Sequence, residues 1–240
     1  MNGPAGLITS TFPFASWKNQ EWRSGARMVK PLPRMMSTME QEMEYSSKLK
    51  NTFSLSDIKL DGFGASGKWA GYFQRTGEHS HSLVDKAVAL LDGFLGSRSG
   101  NFLVVTALSY RDEREKDVDT IKRYQHIYDE MKSRRLLLPM SDEYESYLYG
   151  ESPLPAGSLS FSFEYSDFIK LSRLLMCHAG VAGQVCFCII PALNMAIYPH
   201  DDIGYGCVAL NSDVKACREF LDHCSECSSF EVVFGESCQP

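Results

Sequence analysis

The arrangement of apolar residues predicts an α+β domain, with a largely antiparallel sheet of about five to seven strands packed with about three or four helices. Two observations carry this expectation. Strand-like runs follow one another closely across residues 184–210, and stretches with helical period separate the earlier strand-like runs. No internal repeat is visible. With 240 residues the chain suffices for one large domain with an appended tail, so residues 1–36 are expected to form a basic leader and 37–240 a single globular domain.

The leader carries Lys18, Arg23, Arg27, Lys30 and Arg34 against Glu21 alone, a net +4, so with a formal total of −6 the rest of the chain carries −10. It lacks the continuous apolar core of a secretory signal. An organellar transit peptide, a disordered tail, and sequence upstream of a start at Met35, Met36, Met39 or Met43 all stay open. Trp17 and Trp22 follow neither a helical nor a strand period, so the segment is expected to lack stable packing.

A weak helix is expected over 37–51, then a strand in "GKWAGYFQR" (67–75). In "SHSLVDKAVALLDGFLG" (80–96), Leu83, Val84, Ala87, Leu90, Leu91 and Phe94 form one helical stripe. Ser82 with Asp85 resembles a capping box, and Gly96 stands where the helix would stop. The β-branched run "NFLVVTALSY" (101–110) predicts a central strand. A charged helix follows over about 113–133, with Val118, Ile121, Gln125, Tyr128 and Met131 inward.

Residues 139–158, rich in Pro, Ser, Asp, Glu and Tyr, predict a long surface connection. "SLSFSFEY" alternates Leu159, Phe161, Phe163 and Tyr165 with polar residues, the pattern of a strand with one wet face. Ser166 or Asp167 would cap a helix carrying Phe168, Ile169, Leu171, Leu174 and Leu175 and ending at Gly180. Strands are then expected at 184–190, 194–198 and 205–210. A helix capped by Ser212 or Asp213 runs to about Cys224, and "SFEVVF" closes the chain.

Composition excludes several functions. A hydrophobic content of 44% is too high for wholesale disorder. No apolar run reaches the roughly 18 residues needed to cross a bilayer. The longest, "VCFCIIPALNMAIY", is interrupted by Pro191 and Asn194. An acidic body disfavours phosphate-backbone contacts, so neither nucleic acid nor a membrane is expected as a partner. The cysteines, at 177, 186, 188, 207, 217, 224, 227 and 238, are expected to be reduced thiols in a cytoplasmic protein.

Few residues suggest chemistry. "GFGASGK" (62–68) has the spacing of a phosphate-binding loop, but Trp69 stands where a Ser or Thr would hold magnesium, and strand rather than helix is expected next. A glycine-rich turn is the reading adopted. His223, Cys224, Cys227 and nearby Cys217 offer only one zinc-type pair, and Val214, Cys217, Phe220, Leu221 and Cys224 form an apolar stripe instead. Cys177 and His178 are neighbours, but adjacency does not aim one side chain at the other. No cofactor, metal ligand or catalytic residue is assigned.

His200, Asp201 and Asp202 remain, between two apolar runs. Pro199 is expected to end the first strand and Gly204 to permit a tight turn, which places the three at a wet hairpin tip. A structural turn is the favoured role, with contact to a partner next and metal binding or catalysis last.

The segment Tyr198-Pro199-His200-Asp201-Asp202-Ile203-Gly204, with the element order over roughly residues 67–227, resembles a bacterial family termed domain of unknown function three-eight-eight-five. That family has an aromatic-Asp-Asp-Arg-Gly turn between two strands. Here Pro199 and His200 are inserted and Ile203 replaces the arginine, so a charge pairing made by that arginine does not carry over from the family. The resemblance implies an α+β fold and no established enzymatic mechanism. The expected function is a cytoplasmic non-enzymatic binding protein, an immunity-type inhibitor that neutralises a basic protein toxin. The alternatives are a hydrolase or transferase centred on His200, Asp201 and Asp202, or a non-enzymatic regulator or adaptor.

Overall fold

A computed structural model describes residues 68–96, 100–111 and 118–235. The basic leader, the 37–51 helix and the glycine run at 62–67 lie outside the described residues. Ten strands are described: β1 (Trp69–Arg75), β2 (Leu103–Thr106), β3 (Ser109–Tyr110), β4 (Leu138–Pro139), β5 (Ser160–Ser162), β6 (Val181–Ala182), β7 (Cys186–Ile190), β8 (Met195–His200), β9 (Gly204–Ala209) and β10 (Phe230–Phe234). The helices are α1 (His81–Leu95), α2 (Val118–Ser133), α3 (Asp142–Leu148), α4 (Tyr165–Met176) and α5 (Lys215–Ser225). Seven strands form one sheet in the order β10-β1-β9-β8-β7-β2-β5, and every pairing in it is antiparallel. A small second sheet, β4-β3-β6, pairs β3 with β4 in parallel. The α+β expectation holds.

The large sheet is buried on both faces. Strand side chains alternate, so each strand feeds two cores. Toward α1, α4 and α5 point Val104, Cys186, Cys188, Ile190, Met195, Ile197, Cys207 and Ala209. Toward the other side point Val105, Phe187, Ile189, Ala196, Tyr198 and Val208. Two-sided burial explains why 185–198 reads as one apolar run rather than as an alternation. Between β7 and β8 the chain turns through Pro191–Leu193, with Asn194 in the left-handed conformation.

The second face is covered by the segment expected to be a surface connection. Ser141 caps α3 by accepting from the Tyr144 amide at 3.2 Å. Tyr144 and Tyr147, three apart, then lie on one side of the helix and are buried with Leu154 against Val105, Phe187 and Tyr198. The Tyr144 hydroxyl donates to the Ala107 carbonyl, which satisfies its polar end inside the core. Polar composition hid a layer built from tyrosines.

Other expectations shift for equally local reasons. Ser80, not Ser82, caps α1, its hydroxyl accepting from the Leu83 amide at 3.3 Å. On α2 the inward residues are Tyr124, Ile127, Tyr128 and Met131, and Gln125 is exposed; Val118 and Ile121 lie outside the described side chains. Helical geometry breaks at Tyr124, the first of these inward residues. Strand β5 is short and turned over: Phe161 is exposed and Ser162 buried. The Ser162 hydroxyl donates to the fully buried Asp167, which also takes Arg134 Nη1 at 2.6 Å. That buried carboxylate needs its partners more than Phe161 needs the core. Asp167 therefore anchors α4 rather than capping it, and α4 stops at Met176, short of Gly180.

The tyrosine layer predicts unequal costs for substitutions at Tyr144, within α3, and at Tyr149, just past its end. Tyr144→Ala should destabilise by about 3–5 kcal/mol, as for other buried aromatic truncations. Tyr149→Ala, at a residue 72% exposed, should stay within about 0.5 kcal/mol. Urea unfolding measures both, and equal costs would mean that α3 is not part of the core.

Candidate functional site

The hairpin of β8 and β9 forms as expected, but its tip differs. Strand β8 runs on through Pro199 and His200, pairing His200 with Gly204. Pairing with β7 extends only to Ile197, so at Pro199 β8 has a sheet neighbour on one side only, a position where a sheet tolerates proline. Of the residues expected to be wet, only Asp201 and Asp202 are exposed. Ile203 is fully buried and takes the left-handed conformation, φ 55°. Such a conformation costs a β-branched residue on the order of 1–3 kcal/mol. Burial of its side chain, worth roughly 1.5–3 kcal/mol, offsets that.

Gly204 is required by proximity rather than by the turn. A Cβ there would lie 1.8 Å from the Phe73 carbonyl oxygen of β1. The same approach lets His200 Nε2 reach that oxygen at 2.8 Å. A carbonyl only accepts, so Nε2 carries the proton and Nδ1 of the neutral ring keeps its lone pair. Tyr72 packs edge-on against the imidazole, centroids 5.4 Å apart. The Arg75 amide donates to the Asp202 carbonyl at 3.3 Å, tying the turn to the end of β1. Burial lowers the His200 pKa, opposed by the Phe73 bond and then by Asp201 and Asp202.

A ring nitrogen of His200 and one carboxylate oxygen each from Asp201 and Asp202 lie within 4.8 Å of one another. They are the one group of metal-type ligands that converges among the described residues. Asp202 also faces Arg75, at a loose 3.8 Å. The C-terminal cysteines do not join them. Cys217 and Cys224 are buried in the helix-side core, and His223 Nε2 bonds the Leu90 carbonyl at 3.2 Å. None of the seven described cysteines forms a disulfide.

A second cluster escapes sequence reasoning. Tyr124 Oη lies 3.0 Å and Cys177 Sγ 3.6 Å from the same atom, Nδ1 of His81. Three helices meet there: the start of α1, the break in α2 and the end of α4. The only sequence hint was the Cys177-His178 pair, yet the partner is His81, ninety-six positions from Cys177. Burial raises the Cys177 thiol and lowers His81, and it pushes Tyr124 up to about 12. All three groups are thus held neutral, opposite to the thiolate–imidazolium pair of a nucleophilic cysteine. The cluster joins helices.

A shallow groove lies on the second face, lined by Asp142, Glu143, Ser146, Ser152, Pro153, Leu154 and Pro155. The first turn of α3 adds Glu145, which pairs with Arg111. Tyr149, beside it in the chain, is the most exposed large apolar side chain among the described residues.

No helix among the described residues is long and apolar enough to cross a membrane. No protein-family model, curated protein or solved structure matches this chain.

The half-buried imidazole predicts acid sensitivity. Its folded pKa lies below the unfolded value of about 6.5, so its contribution is complete above that value and is lost as pH falls from there toward the folded pKa. His200→Gln keeps an N–H near the position of Nε2 but cannot titrate. It should hold neutral-pH stability within about 1 kcal/mol and shrink the loss below about pH 6.5. His200→Ala, which removes the bond to Phe73, should cost about 1–3 kcal/mol at neutral pH. Chemical denaturation across pH measures all three proteins; identical pH profiles for wild type and His200→Gln would show that the ring is solvated.

Proposed function

We propose that the protein is a non-enzymatic binding protein that captures a basic protein partner, and that its specific role is inhibition of a protein toxin. The observation that carries this reading is the α3 face. There Asp142 and Glu143 line a shallow groove without an ion-pair partner among the described residues, close in sequence to the exposed Tyr149. Unpaired surface carboxylates raise the local negative potential and speed encounter with a cationic partner. An exposed tyrosine supplies contact area at low entropic cost, the usual anchor of a protein interface. The −10 charge of residues 35–240 adds long-range attraction of the same sign. On this reading the partner docks on α3, rather than on His200, Asp201 and Asp202.

The test is co-expression with the product of the neighbouring open reading frame. That product should be toxic alone and harmless with this protein present, and the two should associate at a rate that falls steeply with added salt. Asp142→Lys with Glu143→Lys should slow association at least about tenfold. Tyr149→Ala should accelerate dissociation about tenfold while leaving stability unchanged. A harmless neighbour, or one against which the protein gives no protection, removes the toxin role. Association unaffected by salt and by the charge reversals removes the acidic capture surface.

A further inference from the structure

We infer that the β8–β9 turn binds a borderline divalent cation such as zinc or cobalt, with His200 Nδ1 and the carboxylates of Asp201 and Asp202 as ligands. This inference is independent of the partner reading, because the α3 face plays no part in it.

Three features of the turn converge on a cation. The donor set is one imidazole nitrogen and two carboxylates, drawn together within 4.8 Å. Imidazole selects transition ions over magnesium or calcium, and two carboxylates balance the charge of a dication. The ring already has the tautomer that ligation through Nδ1 requires. Its Nε2–H is spent on the Phe73 carbonyl at 2.8 Å, which fixes the tautomer and leaves Nδ1 as the lone-pair nitrogen. A backbone carbonyl on the far nitrogen is the usual outer support of a ligating histidine. The Tyr72 edge holds the ring plane from another direction.

The required movement is small. Ligands about 2.0–2.2 Å from one ion stand about 3–3.5 Å apart, so atoms now within 4.8 Å of one another must close by up to roughly 1.3–1.8 Å. His200 is tied to β1 and cannot supply that movement. Asp201 and Asp202 are exposed, so it falls to their side chains. The Asp202–Arg75 contact that would be given up is long, and Asp202 is 64% exposed, so solvent screens it. Three protein ligands leave further coordination positions to water or to a group from another molecule.

Cobalt(II) titration of the full chain under reducing conditions tests the site, read by absorption and by calorimetry. One equivalent should bind, and its spectrum should lack the sulfur-to-cobalt charge-transfer band that cysteine ligation would give. Asp201→Asn with Asp202→Asn, two exposed changes that leave the core intact, should weaken binding at least tenfold with no change in the metal-free unfolding midpoint. His200→Gln, which keeps the bond to Phe73 but has no counterpart of Nδ1, should weaken it similarly. No stoichiometric uptake overturns the site. So does uptake that survives the double carboxylate change, or a thiolate band that places the ion among the cysteines.

Discussion

The constraint on which the structure depends is the burial of one antiparallel sheet on both faces. Strands β7, β8 and β9 carry apolar side chains to either side, so neither face can be left to water. Three helices cover one face. The other is closed by α3 and the chain around it, whose inward groups are Tyr144, Tyr147 and Leu154. Interiors pack at crystal-like density, and large rings therefore demand small neighbours. Tyr198 lies across Gly206 so closely that a Cβ there would fall 2.1 Å from the ring. Its hydroxyl accepts from Trp69 Nε1 at 2.8 Å, which lets a phenol occupy an apolar layer.

The same tightness sets the chemistry of the polar groups. Glycine at 204 admits the Phe73 carbonyl, that carbonyl takes the His200 proton, and the imidazole stays neutral. Elsewhere, burial holds Cys177, His81 and Tyr124 neutral at a helix junction. Asp167 is fully buried as well, and both Arg134 and Ser162 bond to it. Exposed carboxylates stand at the surface, among them Asp142 and Glu143 on α3 and Asp201 and Asp202 at the tip of the β8–β9 turn.

How much could be seen in the sequence follows from how local each signal is. Continuous apolar runs located β7, β8 and β9, and a 3.6-residue stripe located α1, because burial leaves its period in the chain. The α3 layer was missed because two tyrosines among acids and serines look like a loop. The face of β5 was inverted because Ser162 answers Asp167, five positions later. At the turn, Gly204 drew attention as a flexible residue. Its role is close approach to β1, a strand about 130 positions earlier in the chain, and the left-handed position belongs to Ile203, whose aliphatic side chain gives no warning of it. The junction of His81, Tyr124 and Cys177 is assembled from three distant helices and leaves no periodic trace.

Native-state hydrogen exchange at the Arg75 amide, which bonds the Asp202 carbonyl, tests most directly whether the turn belongs to the core. A tip anchored by buried Ile203 and by His200 opens only with the sheet. The Arg75 amide should then exchange at the free energy of global unfolding, together with the amides of the β8–β9 ladder. Exchange several kcal/mol faster than that ladder, insensitive to denaturant, would mean that the turn frays as an ordinary loop and would contradict the account.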